Sequence, residues 1–123
     1  MNQDETDKSA SEQEWPDSLD AMVAAPEHHE VLLENERVRV LDSRIKAGET
    51  VPVHTHRWAS VLYILGTSDF IRYDTEGNAV FDSRTKESSI EAGTVTWSAP
   101  LSAHSVENVG NTEIRVISIE LKD

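Results

Sequence analysis

From Glu30 onward, apolar and polar residues alternate in short runs, and a turn signal closes each run. This pattern constrains the fold more than any other feature of the chain. Alternation with a period of two puts one face of each segment toward a core and the other toward water. Nothing after residue 25 sustains the 3.6-residue period of a helix. The runs predict strands at Val31–Glu34, Arg37–Lys46, Val51–His56, Val61–Leu65, Asp69–Asp74, Ala79–Ser83, Gly93–Trp97, His104–Asn108 and Glu113–Leu121. Ala47-Gly48-Glu49, Thr75-Glu76-Gly77-Asn78 and Val109-Gly110-Asn111-Thr112 supply hairpin-like turns, because Gly and Asn tolerate positive φ. Many short strands at roughly 8–12-residue spacing predict an all-β sandwich or barrel.

The first 25 residues differ in kind. They carry seven acids against Lys8 alone, half of the net charge of −12. Residues 1–16 hold too little apolar surface to offset the entropy of ordering, and disorder or loose packing is expected there. Asp17 or Ser18 is the expected cap of a short helix through Met22 and Ala24, stopped by Pro26. Trp15 is positioned to tack this segment onto the domain or a neighbouring subunit. The predicted organisation is an acidic tail over 1–25 and one β-domain over 26–123, a size that supports one core.

Charge and composition exclude several function classes. An excess of 23 acids over 11 bases opposes nucleic acid and anionic membrane surfaces, whose affinity comes from Lys and Arg. The chain has no Cys, hence no disulfide and no thiolate metal site. MNQDETDKSA has neither the basic nor the apolar region of a signal peptide, and no apolar run approaches the ~20 residues of a membrane span. A cytoplasmic location is expected.

Five histidines remain as the main chemical resource. His28 and His29 precede the first predicted strand and are expected at the surface. His54 and His56 stand at i and i+2 on a strand, so both imidazoles project to one side. His104 opens a later strand and supplies a third imidazole if that strand runs beside the pair. Imidazole suits Zn, Fe, Cu and Ni. A His-x-His pair alone is equally consistent with surface or hydrogen-bonded histidines.

The surroundings of these residues are more specific. Gly48, Pro52, His54-Thr55-His56 and Gly66 form one block, and Gly93, Pro100, His104 and Asn108 form another. Together they resemble the two motifs of the cupin superfamily over residues 30–121. The resemblance implies a jelly-roll β-barrel with His54, His56 and His104 on one divalent ion, whether Fe, Mn, Ni, Cu or Zn. It also implies a homodimer, to which the edge strand Val31–Glu34 would contribute; Asn108 is placed to hydrogen-bond a backbone group or a ligand imidazole from behind, with ordinary turn chemistry before Gly110 as its competing role. Ser60, or Val61, stands where the family's motif has a Glu ligand, Gly66 falls slightly early, Pro100 is one place late and Ser102 replaces a Gly. Three-His sites occur among cupin-like dioxygenases that cleave thiols or diketones. Without the Glu, three neutral ligands leave the ion its full +2 charge, which favours an anionic or chelating guest and leaves about three positions open on a six-coordinate ion.

The expected function is therefore a metal-binding, dioxygenase-like enzyme for a small organic acid, diketone or thiol. A small-molecule binding or sensing module and a Zn hydrolase or isomerase are the alternatives, because fold does not fix function. Ser60, Trp58, Tyr63, Phe70, Trp97 and Arg57 are the candidate pocket residues. Core filling is the competing role for the aromatics, and a surface or subunit contact for Arg57. Arg39, Arg72 and Arg115 are placed either to bind a carboxylate or to pair with Asp42, Glu113 or Asp74.

Overall fold

A computed structural model describes residues 15–85 and 90–122. The expected tail over 1–16 lies almost wholly outside the described residues. Nine strands form: β1 (His29–Glu34), β2 (Val38–Ile45), β3 (Thr50–His56), β4 (Ser60–Gly66), β5 (Phe70–Tyr73), β6 (Ala79–Asp82), β7 (Val95–Ser98), β8 (Leu101–Asn108) and β9 (Ile114–Leu121). They assemble into a five-stranded sheet ordered β1-β2-β9-β4-β7 and a four-stranded sheet ordered β3-β8-β5-β6, with every strand pair antiparallel. This is a jelly-roll arrangement. No described helix is long and apolar enough to cross a membrane.

Sequence explains the strands. β2 and β9 read VRVLDSRI and IRVISIEL, rich in β-branched residues that pack well on a pleated surface. They pair over their full lengths, from Val38 opposite Leu121 to Ile45 opposite Ile114. The turn glycines Gly48 and Gly93, both from the motif blocks, have φ of +84° and +91°, where a side chain would be strained.

The N-terminal segment packs on the barrel. A 3-10 turn at Asp17–Leu19 leads into α1 (Ala21–Ala24). Asp20, rather than Asp17 or Ser18, is its cap: the carboxylate accepts from the Met22 amide at 3.1 Å. Asp20 can do so because the 3-10 turn ends there and turns the backbone extended. Ala21 and Ala25 are buried, and Arg57 donates to the Trp15 carbonyl and to Asp17, which ties the segment down.

The barrel interior is not filled. Leu41, Val51, Ile45 and Ile64 are buried, but the inner faces of the two sheets enclose a cavity of about 540 Å³. That is within the usual size of small-molecule sites.

Candidate metal centre

β3 and β8 position the histidines. They pair antiparallel with His54 directly opposite His104, and bulges on either side of His54 break the regular register before His56. A bulge re-aims side chains, here so that His54 and His56 converge. Their Nε2 atoms lie 3.2 Å apart, and the His54 ring centroid is 4.5 Å from that of His104. The three expected rings are therefore neighbours, with the His56 and His104 centroids 6.0 Å apart.

A fourth joins them. His29, expected at the surface, is only 8% exposed and stands against both rings of the pair, with centroids 5.1 Å from His54 and 5.5 Å from His56. The reason is that β1 begins two residues earlier than its apolar run, so His29 becomes the inward-facing first residue of a strand. One ligand atom from each of His29, His54 and His56 lies within 4.8 Å of the others. The triad whose ligand atoms converge is thus His29, His54 and His56, and the His104 ring packs against that of His54. His28 also reaches the cavity wall, and its Nδ1 contacts the Arg44 carbonyl.

Hydrogen bonds set the tautomers. Nδ1 of His29 faces the Ala25 carbonyl at 2.9 Å, that of His54 the Pro52 carbonyl at 2.8 Å, and that of His104 the Ser102 carbonyl at 2.6 Å. Nδ1 of His56 faces Oε2 of Glu120 at 3.1 Å. Carbonyl and carboxylate oxygens only accept, so each Nδ1 carries the proton and donates it. In a neutral ring tethered this way, Nε2 is left with a bare lone pair. Burial pushes His29 and His104 down to about 4 and His54 down to about 2, helped by repulsion among the rings, which keeps these imidazoles neutral.

Glu120 was not legible as a site residue. It is fully buried on β9, where its Oε1 accepts from Arg39 Nε at 2.7 Å and its Oε2 from His56. Burial alone would raise its carboxyl, but the hydrogen bonds from His56 and Arg39 more than offset this and hold it below the usual range. Arg39 also donates twice to Asp20, at 2.9 and 3.0 Å. A chain Asp20–Arg39–Glu120–His56 thus runs from the helix cap to the histidines. Period-two parity could have pointed to Glu120, since Ile114, Val116 and Ser118 on the same strand all face the cavity. The register also places Glu120 directly opposite Ser60, the position where a Glu ligand was expected. The carboxylate has moved one strand sideways, and it contacts an imidazole rather than the cluster's centre.

The other candidates divide. Ser60 is buried and lines the cavity, and Phe70 lines it too. Trp58, Tyr63, Trp97 and Arg57 do not. Tyr63 and Trp97 are 42% and 59% exposed on the outer face of the five-stranded sheet, because the odd positions of β4 and β7 point away from the barrel. Trp58 lies beneath the cations of Arg39, Arg57 and Lys122, 5.0 to 5.9 Å from its ring. Arg57 is spent on Trp15 and Asp17. Asn108 touches no imidazole: its amide donates to the Ile45 and Thr112 carbonyls and its oxygen accepts from the Gly110 amide, so its work is in the turn. Among the strand arginines, Arg39 and Arg115 have acid partners, Glu120 with Asp20 and Asp42 respectively.

The donor set fits a metal ion. His29, His54 and His56, whose ligand atoms lie within 4.8 Å of one another and whose Nδ1 atoms are held from behind by fixed acceptors, are prepared as His ligands of a divalent cation usually are. Two bare lone pairs 3.2 Å apart repel unless a proton or a cation lies between them.

No family model and no curated protein matches the sequence. Solved structures do match. A cupin domain from Bordetella pertussis Tohama I is 26% identical, with 77% of this chain and 92% of that one covered and a TM-score of 0.63. An RmlC-like cupin with a double-stranded β-helix fold from Methanocaldococcus jannaschii is 13% identical over 76% of this chain and 77% of that one, with a TM-score of 0.53. A polyketide cyclase from Streptomyces resistomycificus is 14% identical over 81% and 68%, with a TM-score of 0.52. The last two likenesses are of fold alone.

Proposed function

We propose that this chain, a member of the cupin superfamily, holds one divalent metal ion on His54, His56 and His104 with His29 as a further ligand, and works as a dioxygenase-like enzyme on a small organic acid, diketone or thiol. The observation that carries the reading is a set of Nδ1-tethered imidazoles on the wall of a largely apolar cavity, of which His29, His54 and His56 converge on one another. When bound, the ion would supply Lewis acidity and a place for an anionic substrate group. Four neutral ligands would leave two positions on a six-coordinate ion and none on a four-coordinate zinc, which favours a six-coordinate ion over a Zn hydrolase.

The chain's own residues have defined tasks. Glu120 orients the His56 ring and stabilises its Nδ1 proton, while the Ala25, Pro52 and Ser102 carbonyls do the same for the others. Ser60 and Ser118 place hydroxyls on the wall. Leu62, Ile64 and Phe70 exclude water and strengthen electrostatic interactions inside. Asp69 is the one carboxylate on the described wall, and it is exposed, so among the described residues the wall itself carries no buried carboxyl.

The test is oxygen uptake by protein reloaded with Fe, Mn, Ni, Cu or Zn, against a panel of small acids, diketones and thiols. Uptake that depends on metal and is lost in His54→Ala supports the proposal. Turnover without oxygen consumption would transfer the site to a hydrolase or isomerase, and ligand binding indifferent to metal would make it a binding module.

A further inference from the structure

Arg72 differs from the other arginines of the described residues: all but Arg37, which is exposed in a turn, have an acid partner. Arg39 pairs with Glu120 and Asp20, Arg44 and Arg115 with Asp42, Arg57 with Asp17 and Arg84 with Asp82. Arg72, on β5, has no ion pair and no hydrogen bond among the described residues. Its Nε is shielded from solvent and lacks an acceptor. Among the described residues no carboxylate pairs with this guanidinium. Burial holds it below the usual arginine range, with no counter-charge to offset the effect.

Its position is specific. Arg72 lines the same cavity as the histidines. It sits opposite Val106 on β8, two residues from His104, and its charge is felt at the His104 ring. Its cross-strand neighbours are the apolar Phe81 and Val106, and Phe70 and Leu101 line the same cavity. An unpaired cation in such surroundings is costly unless a ligand supplies the anion.

We infer that Arg72 recognises the carboxylate of the cavity's ligand, which is a monocarboxylic acid whose remaining body is apolar. The planar guanidinium fork matches a carboxylate with two parallel hydrogen bonds. One cation, with no lysine on the described wall, balances a single negative charge. A phosphate monoester, with nearly two charges, would be left undercompensated in this wall. The acid's carboxylate is held at Arg72, and its other end lies toward the four histidines.

The inference rests on the proposed metal site sharing this cavity, and the test separates the two. Binding of benzoate and hexanoate, each beside its uncharged amide, is measured by calorimetry on metal-loaded and on chelated protein. The variants are Arg72→Met and Arg72→Lys. The expected result is that at least one acid binds tighter than its amide, that Arg72→Met weakens the acid at least tenfold, that Arg72→Lys recovers part of the loss, and that amide binding does not change. The preference should survive chelation, and it should do so even if the metal reading fails. Acid binding that persists in Arg72→Met and disappears on chelation would place the carboxylate on the metal and overturn the assignment. So would a panel in which no acid is preferred to its amide.

Discussion

Glu120→Ala tests the connection between barrel and site. The side chain is 1% exposed and accepts two charged or polar hydrogen bonds, from Arg39 and from His56. Removing one partner of a buried ion pair costs ~3–5 kcal/mol. Arg39 keeps its two hydrogen bonds to Asp20, which leaves the guanidinium compensated and puts the loss near the lower end, about 3 kcal/mol. For a domain of this size, 1 kcal/mol corresponds to roughly 4 °C, so Tm should fall by about 12 °C in metal-free protein followed by circular dichroism. The same change frees the His56 ring, and loss of such a supporting partner lowers metal affinity by roughly 10–100-fold. Glu120→Gln should fall between, because its amide oxygen can serve only one of the two donors while its NH2 opposes the other. Glu76→Ala, at an exposed turn, is the control and should change stability by less than about 0.5 kcal/mol. A Glu120→Ala protein that melts within about 2 °C of the parent and binds metal equally well would refute the coupling, since that scale implies less than about 0.5 kcal/mol.

Three further predictions follow from the geometry. His29→Ala should weaken metal affinity by roughly tenfold or more while leaving the fold intact, measured by competition with a chromophoric chelator; an unchanged affinity would return the site to three histidines. In chelated protein, His29 and His104 titrate near 4 when folded but near 6.5 when unfolded, so the unfolded state binds more protons at mildly acidic pH. Stability is therefore complete above pH 6.5 and falls as pH drops toward 4, by about 3 kcal/mol for each ring, and a Tm that is flat across this window would contradict the neutral, buried cluster. The exposed apolar residues Leu32, Leu33, Tyr63, Val95 and Trp97 lie on the five-stranded sheet, and a homodimer would cover them. Sedimentation should give twice the chain mass at micromolar concentration, and a monomer would argue against it.

Much of the fold was legible because β-strands report themselves locally. Alternation and turn glycines located the nine strands of the described residues, while the pairing of β3 with β8 stood only as the condition under which His104 would join His54 and His56. Parity within a strand was legible for His54 and His56, but which parity of β4 and β7 faces the core is set by pairing across the sheet, and it turns Tyr63 and Trp97 outward. Contacts between elements distant in sequence left little trace. His29 owes its burial to a strand that starts before its apolar run, and Glu120 owes its role to the register of β9 against β4 and β2. Arg72 became distinguishable from Arg39 and Arg115 only when the sheets had assigned the acids to the other two.

The most direct measurement is elemental analysis of chelated, reloaded and desalted protein, for the parent chain and for His54→Ala. His54 is the central ring, with the centroids of His104, His56 and His29 at 4.5, 4.9 and 5.1 Å. One ion per chain in the parent and almost none in the variant is the predicted result. Equal metal in both proteins, or none in either, would contradict a metal centre built on these imidazoles.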